Sequence, residues 1–237
     1  MLAPAKLTLS LGVTGVVSDG YHLLDAEMVT LDLADELTFG PGDGLEVGGP
    51  FVAGVPTDDR NLVRRALAAV GRTAAVRLHK RIPPGAGLGG GSADAAAVLR
   101  WAGCADVAVA ALLGADVPFC LAGGRARVTG VGEVVEPLAF EARTFTLVVP
   151  PVPTPTAAVY RAWDDLGGPS GKGANDLEPA ALAVNPELAR WRDRLGDATG
   201  RTPKLAGSGS TWFVEGEFPG DDRIVARTTP SVREGAG

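Results

Sequence analysis

Cysteine, histidine and aromatic residues are scarce: two Cys, two His and 5% Phe, Trp and Tyr among 237 residues. Cys104 and Cys120 have no C-x-x-C spacing and no histidine neighbour. That argues against a zinc cluster or a disulfide framework and leads us to expect two reduced, buried thiols. No apolar run approaches the ~20 residues of a membrane span, and no basic segment leads into an apolar one at the N-terminus. A cytoplasmic protein without a membrane partner is the expectation. Lysine and arginine total 22 against 28 acidic residues and are scattered, for a net charge of −6, a balance that speaks against a nucleic-acid surface. Glycine (33) and proline (18) are plentiful, and hydrophobic residues make up 46%. The chain can therefore bury a real core, as one large domain or two small ones.

Residues 5–13, AKLTLSLGV, alternate strictly, with Ala5, Leu7, Leu9 and Leu11 on one face and Lys6 and Thr8 on the polar face of a half-buried strand. Two further strands are expected at 23–33 and 36–39, followed by GPGDG and VGGP as turns. The period then changes to helical over 62–70, with Asp58 or Asp59 as cap and Gly71 as stop. A strand at 73–80, a helix at 92–101 and a helix at 106–113 ending at Gly114 follow. The strands RARVTG, EVVEPL and FTLVVP complete the first part. The proline-dense stretch 150–156 resists helix and central strand alike, so we expect an α+β domain over 1–150 and a smaller α+β domain over 151–237. In the latter, helices are expected at 157–166, 177–183 and 186–195, with strands around GSGS and a closing strand in RIVARTTP.

The densest chemistry lies at 83–99, PPGAGLGGGSADAAAVL. Gly85, Gly87 and Gly90 fit G-x-G-x-x-G, while Gly85 to Ser92 fit the G-x-x-x-x-G-K-[ST] phosphate loop except that Gly91 replaces the lysine. A dinucleotide site would need a second parallel strand ending in an acid; Asp106 falls between helical segments and the upstream chain reads antiparallel. A plain turn capped by Ser92, with Asp94 in the first helical turn, explains those two residues but not five glycines in seven positions. Backbone N–H groups approaching an anion at a helix N-terminus explain them, so phosphate binding is the preferred reading.

PAKLTLSL, PPGAGLGGGSADAA, LGADVPF with GVGE, and LAGSGSTWF occur in the order seen in the galactokinase, homoserine kinase, mevalonate kinase and phosphomevalonate kinase (GHMP) superfamily, which this chain resembles. SDGYHLLDAEM, DDRNLV, PTPTAAVYRAWD and ANDLEPAA resemble the branch that phosphorylates diphosphocytidyl-methylerythritol on the non-mevalonate route to isoprenoid precursors. The resemblance covers nearly the whole chain. It implies a two-domain α+β fold, with an N-terminal half like domain 2 of ribosomal protein S5 and a shortened ferredoxin-like C-terminal half. It also implies ATP and Mg²⁺ as cofactors and direct transfer of the γ-phosphate to a hydroxyl of that acceptor.

Carried over by resemblance, Asp116 is the base and Lys6 its cationic partner. Pro83, Pro84, Gly85, Ala86, Gly87, Leu88, Gly89, Gly90, Gly91, Ser92 and Ala93 wrap the ATP phosphates, Ser92 offers a hydroxyl to Mg²⁺, and Asn61 touches the nucleotide. Thr8, Tyr21, His22 and Tyr160 face the acceptor, two aromatic faces and a polar edge being what a cytosine requires. Gly207, Ser208 and Gly209 pack beside the phosphate loop. Pro118 is expected to hold Val117 extended, leaving Asp116 at a break between elements. Three departures stand out: Thr8 where asparagine is usual, Ala93 for a second serine, and only EFPGDD before the last strand. A sister kinase with another acceptor, a non-catalytic nucleotide-binding relative and a dehydrogenase remain rivals at this point; a monomer or weak homodimer is expected.

Overall fold

A computed structural model describes residues 1–18, 20–152, 154–168 and 174–230. Two antiparallel-rich sheets share the chain. The first is built on β1 (Leu2–Val16) and β2 (His22–Gly40), which pair along almost their whole length. The opposite edge of β2 receives β5 (Arg125–Gly130) at one end and β4 (Ala75–His79) at the other. β6 (Val134–Leu138) extends β5, and β3 (Gly44–Gly48) lies parallel to β4. The parallel pair is made by a crossover through α1 (Leu62–Ala69), as parallel neighbours require.

Three local expectations change. β2 is one strand where two were expected, because buried Asp35 continues it on a polar partner instead of ending it in a turn. GLEVG, flanked by turn residues, pairs as β3. Asn61 rather than Asp58 or Asp59 caps α1, its Oδ1 accepting from Val63 N at 2.8 Å, while the two aspartates pair with Arg60 and Arg64.

α2 (Gly90–Trp101), α3 (Val107–Leu113) and α4 (Val117–Ala122) cover the sheet. Alanines at 93, 95, 96 and 97 are all buried, and their small side chains let α2 lie close against β1, α1 and α4.

The second sheet has the order β10 (Ile224–Arg227), β7 (Thr144–Val148), β9 (Trp212–Glu215) and β8 (Lys204–Leu205). FTLVVP, read as the end of the first part, thus pairs in the second sheet; the change of sheet falls between Leu138 and Thr144, ahead of the prolines. Of these, Pro153 lies outside the described residues, as do 231–237. α5 (Thr156–Asp165), α6 (Glu178–Val184) and α7 (Leu188–Thr199) follow, and Leu188 and Leu195 of the expected stripe are buried. Phe145, Leu147, Phe213 and Ala226 form one apolar cluster with Ala5, Leu7, Leu9, Val29 and Leu31. The two sheets therefore meet through a shared core. No helix among the described residues is long and apolar enough to cross a membrane. Cys120 is buried and its thiol is pushed up to about 12, chiefly by that burial, whereas Cys104 is only half-buried.

Candidate active site

A cleft of about 640 Å³ runs between the two sheets, lined by Lys6, Thr8, Tyr21, His22, Gly87, Ser92, Asp116, Tyr160 and Ser208 among others. Its size lies in the range of small-molecule sites. Residues separated by up to two hundred positions in the sequence thus face one space.

At one end stands Lys6. The alternation of β1 turns it away from Ala5 and Leu7, yet it is only 5% exposed, because its face fronts the cleft rather than open solvent. Its Nζ lies 3.4 Å from Asp116 Oδ2 and donates to Thr8 Oγ1 at 3.1 Å. Thr8 therefore orients the ammonium directly, which its short reach allows. Asp116 sits in the three residues between α3 and α4. Val117 is helical rather than extended: Asp116 O accepts from Cys120 N at 3.0 Å, and Pro118 in the first turn loses no intrahelical bond. The GVGE turn backs this corner, since a Cβ on Gly132, at φ +114°, would meet Ala115 O at 2.4 Å.

The glycine loop crosses the floor. Ala86, Leu88 and Ala93 turn into the core, so these positions can offer an anion only their backbone. Gly89, left-handed at φ +68°, replaces Ser92 as the cap residue of α2 and leaves Ser92 within the first turn, where it lines the cleft. Lys6 N donates to Leu88 O at 3.0 Å, and Thr211 donates to Ala86 O through both N and Oγ1 at 3.2 and 2.6 Å. A Cβ on Gly87 would meet Ala206 O at 2.6 Å and Gly209 O at 2.7 Å. The third glycine motif is thereby packed against the loop. Ser208 Oγ sits 3.0 Å from Thr156 Oγ1 at the start of α5. Pro83, Pro84 and Gly85 face a second cleft of about 670 Å³, walled by Pro50, Phe51, Val149 and Val152.

At the far end, His22 Nε2 lies 2.8 Å from Asp164 Oδ1, and its ring packs on Tyr160 at 4.6 Å and edge-on to Trp163 at 5.5 Å. Burial, with the charge of Asp116 adding to it, pushes the Tyr160 hydroxyl well above the usual phenol range; it enters the cleft as a neutral group. Tyr21 stands exposed at the rim. Asn61 is not brought to either cleft lining; besides capping α1, its Nδ2 donates to Pro56 O at 2.7 Å.

Four residues escaped the sequence reading. Asp164 partners His22. Asn175, 4% exposed, donates to Leu205 O and Gly207 O at 2.9 and 2.6 Å and so holds the third glycine motif in place; it stood in the ANDLEPAA stretch without a role. Asp35 and Lys80 lie buried behind the glycine loop. Among the described residues no three His, Cys, Asp or Glu side chains gather as a metal cage. Among the groups lining the cleft, the carboxylate of Asp116 and the hydroxyl of Ser92 lie on the side of the glycine loop and Lys6. That donor set suits Mg²⁺ held mainly by phosphate oxygens.

Residues 61–124 match the family model described as the GHMP kinases N terminal domain. The chain is 39% identical to a 4-diphosphocytidyl-2-C-methyl-D-erythritol kinase of Dinoroseobacter shibae, across 95% of this chain and 88% of that relative. It is 40% identical to the kinase of the same name from Ruegeria pomeroyi, across 97% and 92%. A crystal structure of a 4-(cytidine 5'-diphospho)-2C-methyl-D-erythritol kinase superposes with a TM-score of 0.74 at 34% identity, covering 96% of this chain and 98% of that one. A mevalonate kinase structure superposes at 0.56 with 13% identity, covering 95% and 97%, and shares the fold alone.

Proposed function

The chain belongs to the family of 4-diphosphocytidyl-2-C-methyl-D-erythritol kinases, and on that premise we propose how its own residues carry out the reaction. It is an ATP-dependent small-molecule kinase. The acceptor is the diphosphocytidyl-methylerythritol of its relatives' name, phosphorylated on the 2-hydroxyl with release of ADP. The observation that carries this reading is the cleft itself: a Lys6–Asp116 pair at one end and the Tyr21, His22 and Tyr160 group at the other.

Phosphoryl transfer asks little covalent chemistry of a protein and much positioning and charge stabilisation. Asp116 accepts the hydroxyl proton as the oxygen attacks the γ-phosphorus. Lys6, held by Thr8, stands 3.4 Å from the Asp116 carboxylate and offsets charge gathering on the transferring group. Loop amides over 85–92 hold the phosphates, and the second, apolar-walled cleft beside Pro83 and Pro84 suits the adenine. Ser92 and Asp116 are the residues that would hold Mg²⁺ arriving with ATP, and the ion would supply charge neutralisation at the phosphates. Tyr160 and Tyr21 supply aromatic faces for the cytosine, and the Asp164 carboxylate fixes the His22 ring beside it. Asn61, which caps α1, stays in the proposal as a nucleotide contact.

An acceptor panel tests the reading. ADP release is expected with diphosphocytidyl-methylerythritol and not with homoserine or mevalonate. Asp116→Asn is expected to lower kcat by about 10²- to 10⁴-fold while nucleotide binding persists. Equal turnover across the panel, or a fully active Asp116→Asn, refutes it.

A further inference from the structure

β2 leaves one edge of β1 free, and two segments dock there. Near its start, Lys6 N donates to Leu88 O of the glycine loop at 3.0 Å. Further along, residues 174–176 run beside the strand through a parallel bridge between Leu11 and Asn175. Leu11 N donates to Ala174 O at 2.8 Å, and Asp176 N donates to Leu11 O at 2.9 Å. The Asp176 side chain lengthens this contact, its Oδ2 accepting from Val13 N at 2.9 Å. Asn175 reaches into the second sheet instead. Its Nδ2 donates to Leu205 O at 2.9 Å and to Gly207 O at 2.6 Å, and its Oδ1 accepts from Leu177 N at 2.9 Å. Both residues are buried.

This short strap therefore fastens a strand of the first sheet to a turn of the second. The strand carries Lys6 and Thr8, and the turn carries Gly207, whose backbone runs beside both. A Cβ on Gly207 would lie 3.6 Å from Lys6 Nζ and 3.7 Å from Thr8 Oγ1. The ammonium is thus enclosed by Asp116, Thr8 and the turn. A buried amide is costly unless its donors and its acceptor are met, and Asn175 directs all of them at main chain. An apolar side chain of similar size would serve packing alone; the hydrogen bonds fix where the turn stands relative to Lys6.

We propose that Asn175 and Asp176 are positioning residues for phosphoryl transfer, which hold the Lys6 strand and the Gly207 turn in one register and so keep the Lys6 ammonium at the point of transfer. The proposal rests on reading Lys6 and Asp116 as the transfer end of the cleft. On the same reading, other contacts hold the nucleotide and the cytosine. The glycine loop is fastened to Thr211 and to β1, and His22 is fastened to Asp164 and Tyr160 of α5. Loosening the strap should therefore slow the step between bound substrates and leave their binding nearly as it is. A displacement of about 1 Å at the reacting centre costs on the order of 10²-fold.

Steady-state kinetics with ATP and diphosphocytidyl-methylerythritol tests this. Expressing kcat per nucleotide site, counted by Mg–ADP titration, keeps a smaller folded fraction from registering as a slower step. Asp176→Ala, which leaves Val13 N without its acceptor, is expected to lower kcat by about 10- to 10²-fold, with both KM values within about threefold of wild type. Asp176→Asn keeps an oxygen for Val13 N and is expected to recover most of that loss. Asn175→Asp keeps the acceptor for Leu177 N but turns an oxygen on the Gly207 carbonyl, and is expected to lose kcat as Asp176→Ala does. In a Lys6→Met background, where the strap has no ammonium to hold, either variant should lower kcat by no more than about twofold further. Equal fold losses in the two backgrounds overturn the proposal, as do a loss carried by KM alone and the absence of recovery in Asp176→Asn. If one of Asp176→Ala and Asn175→Asp does not fold, the other decides. Full activity in Lys6→Met refutes the Lys6 reading and the strap with it, whereas a slow Lys6→Met beside strap variants of wild-type kcat refutes the strap alone.

Discussion

Gly87→Ala tests whether the phosphate loop is held by the third glycine motif. The methyl group meets two backbone carbonyls, Ala206 O at 2.6 Å and Gly209 O at 2.7 Å, at a residue with φ +77°. Neither carbonyl can swing aside like a side chain, so the two loops must separate. The left-handed conformation costs an L-residue about 1–2 kcal/mol, and overpacking against a fixed wall adds roughly 1–3 kcal/mol. Together they give about 2–5 kcal/mol, or a fall in Tm of roughly 4–20 °C for a chain of this size. Gly85→Ala is the matched control: φ is +70° and nothing lies within 4 Å of the added Cβ. There the conformational cost stands alone and is partly offset, by about 0.4–1 kcal/mol, by the reduced freedom of the unfolded chain. Thermal unfolding of the two variants, with the KM for ATP measured on each, separates the effects. Gly87→Ala should lose stability and raise KM together, since a displacement of about 1 Å can cost on the order of 10²-fold; Gly85→Ala should do neither strongly. Equal Tm values for the two variants would refute the packing argument.

Lys6→Met removes the cation beside Asp116 while keeping the stem that lies along Gly89; kcat is expected to fall by about 10²- to 10³-fold, and an unchanged kcat would remove Lys6 from the chemistry. Tyr160→Ala takes away one aromatic wall, worth about 0.5–1.5 kcal/mol; the acceptor KM should rise roughly 2- to 10-fold with the ATP KM constant, and a shift confined to ATP would contradict the placement of the acceptor. Asp94→Asn should gain stability over wild type as pH rises. Burial holds the folded-state carboxyl near 7 against 3.8, so the unfolded chain releases this proton first. The wild type thereby loses on the order of 1 kcal/mol per pH unit between about 4 and 7, and nothing further above 7. A Tm difference between the two proteins that stays constant from pH 5 to 8 would contradict that sign.

Periodicity carried the regular elements: the alternation of β1, the helical stripe of α7 and the stop of α3 at Gly114 were all readable, because each follows from neighbouring residues. What failed were places where a distant partner decides. Asp35 looked like a strand break because an acid at an inward position has no local reason to be there; Lys80 supplies one from 45 residues away. Pro118 looked like an extended dipeptide, but the Asp116 carbonyl closes a helical turn over it. FTLVVP read as an end piece because nothing within it says which sheet it will join. The site residues came from motif resemblance, while their mutual geometry did not. No spacing tells that Thr8 would hold Lys6, that Asp164 would meet His22 across 142 positions, or that Asn175 would hold Gly207.

The substitution of lysine by Gly91 follows the same logic. A residue at the second position of α2 must lie near Leu62 and the cleft floor, where a Cβ meets only Leu62 Cδ1 at 3.6 Å; space alone does not demand glycine there. Charge does explain the arrangement. Lys6 already approaches from β1 toward the acceptor side, and Lys80 lies behind Gly90, bonded to two acids. A third ammonium on the loop would compete with the backbone amides for the same phosphate oxygens. On the proposed assignment, a neutral loop with one cation at the nucleophile sets positive charge where the bond is made rather than where the nucleotide is held. That division agrees with catalysis by interactions stronger in the transition state than in the bound substrate.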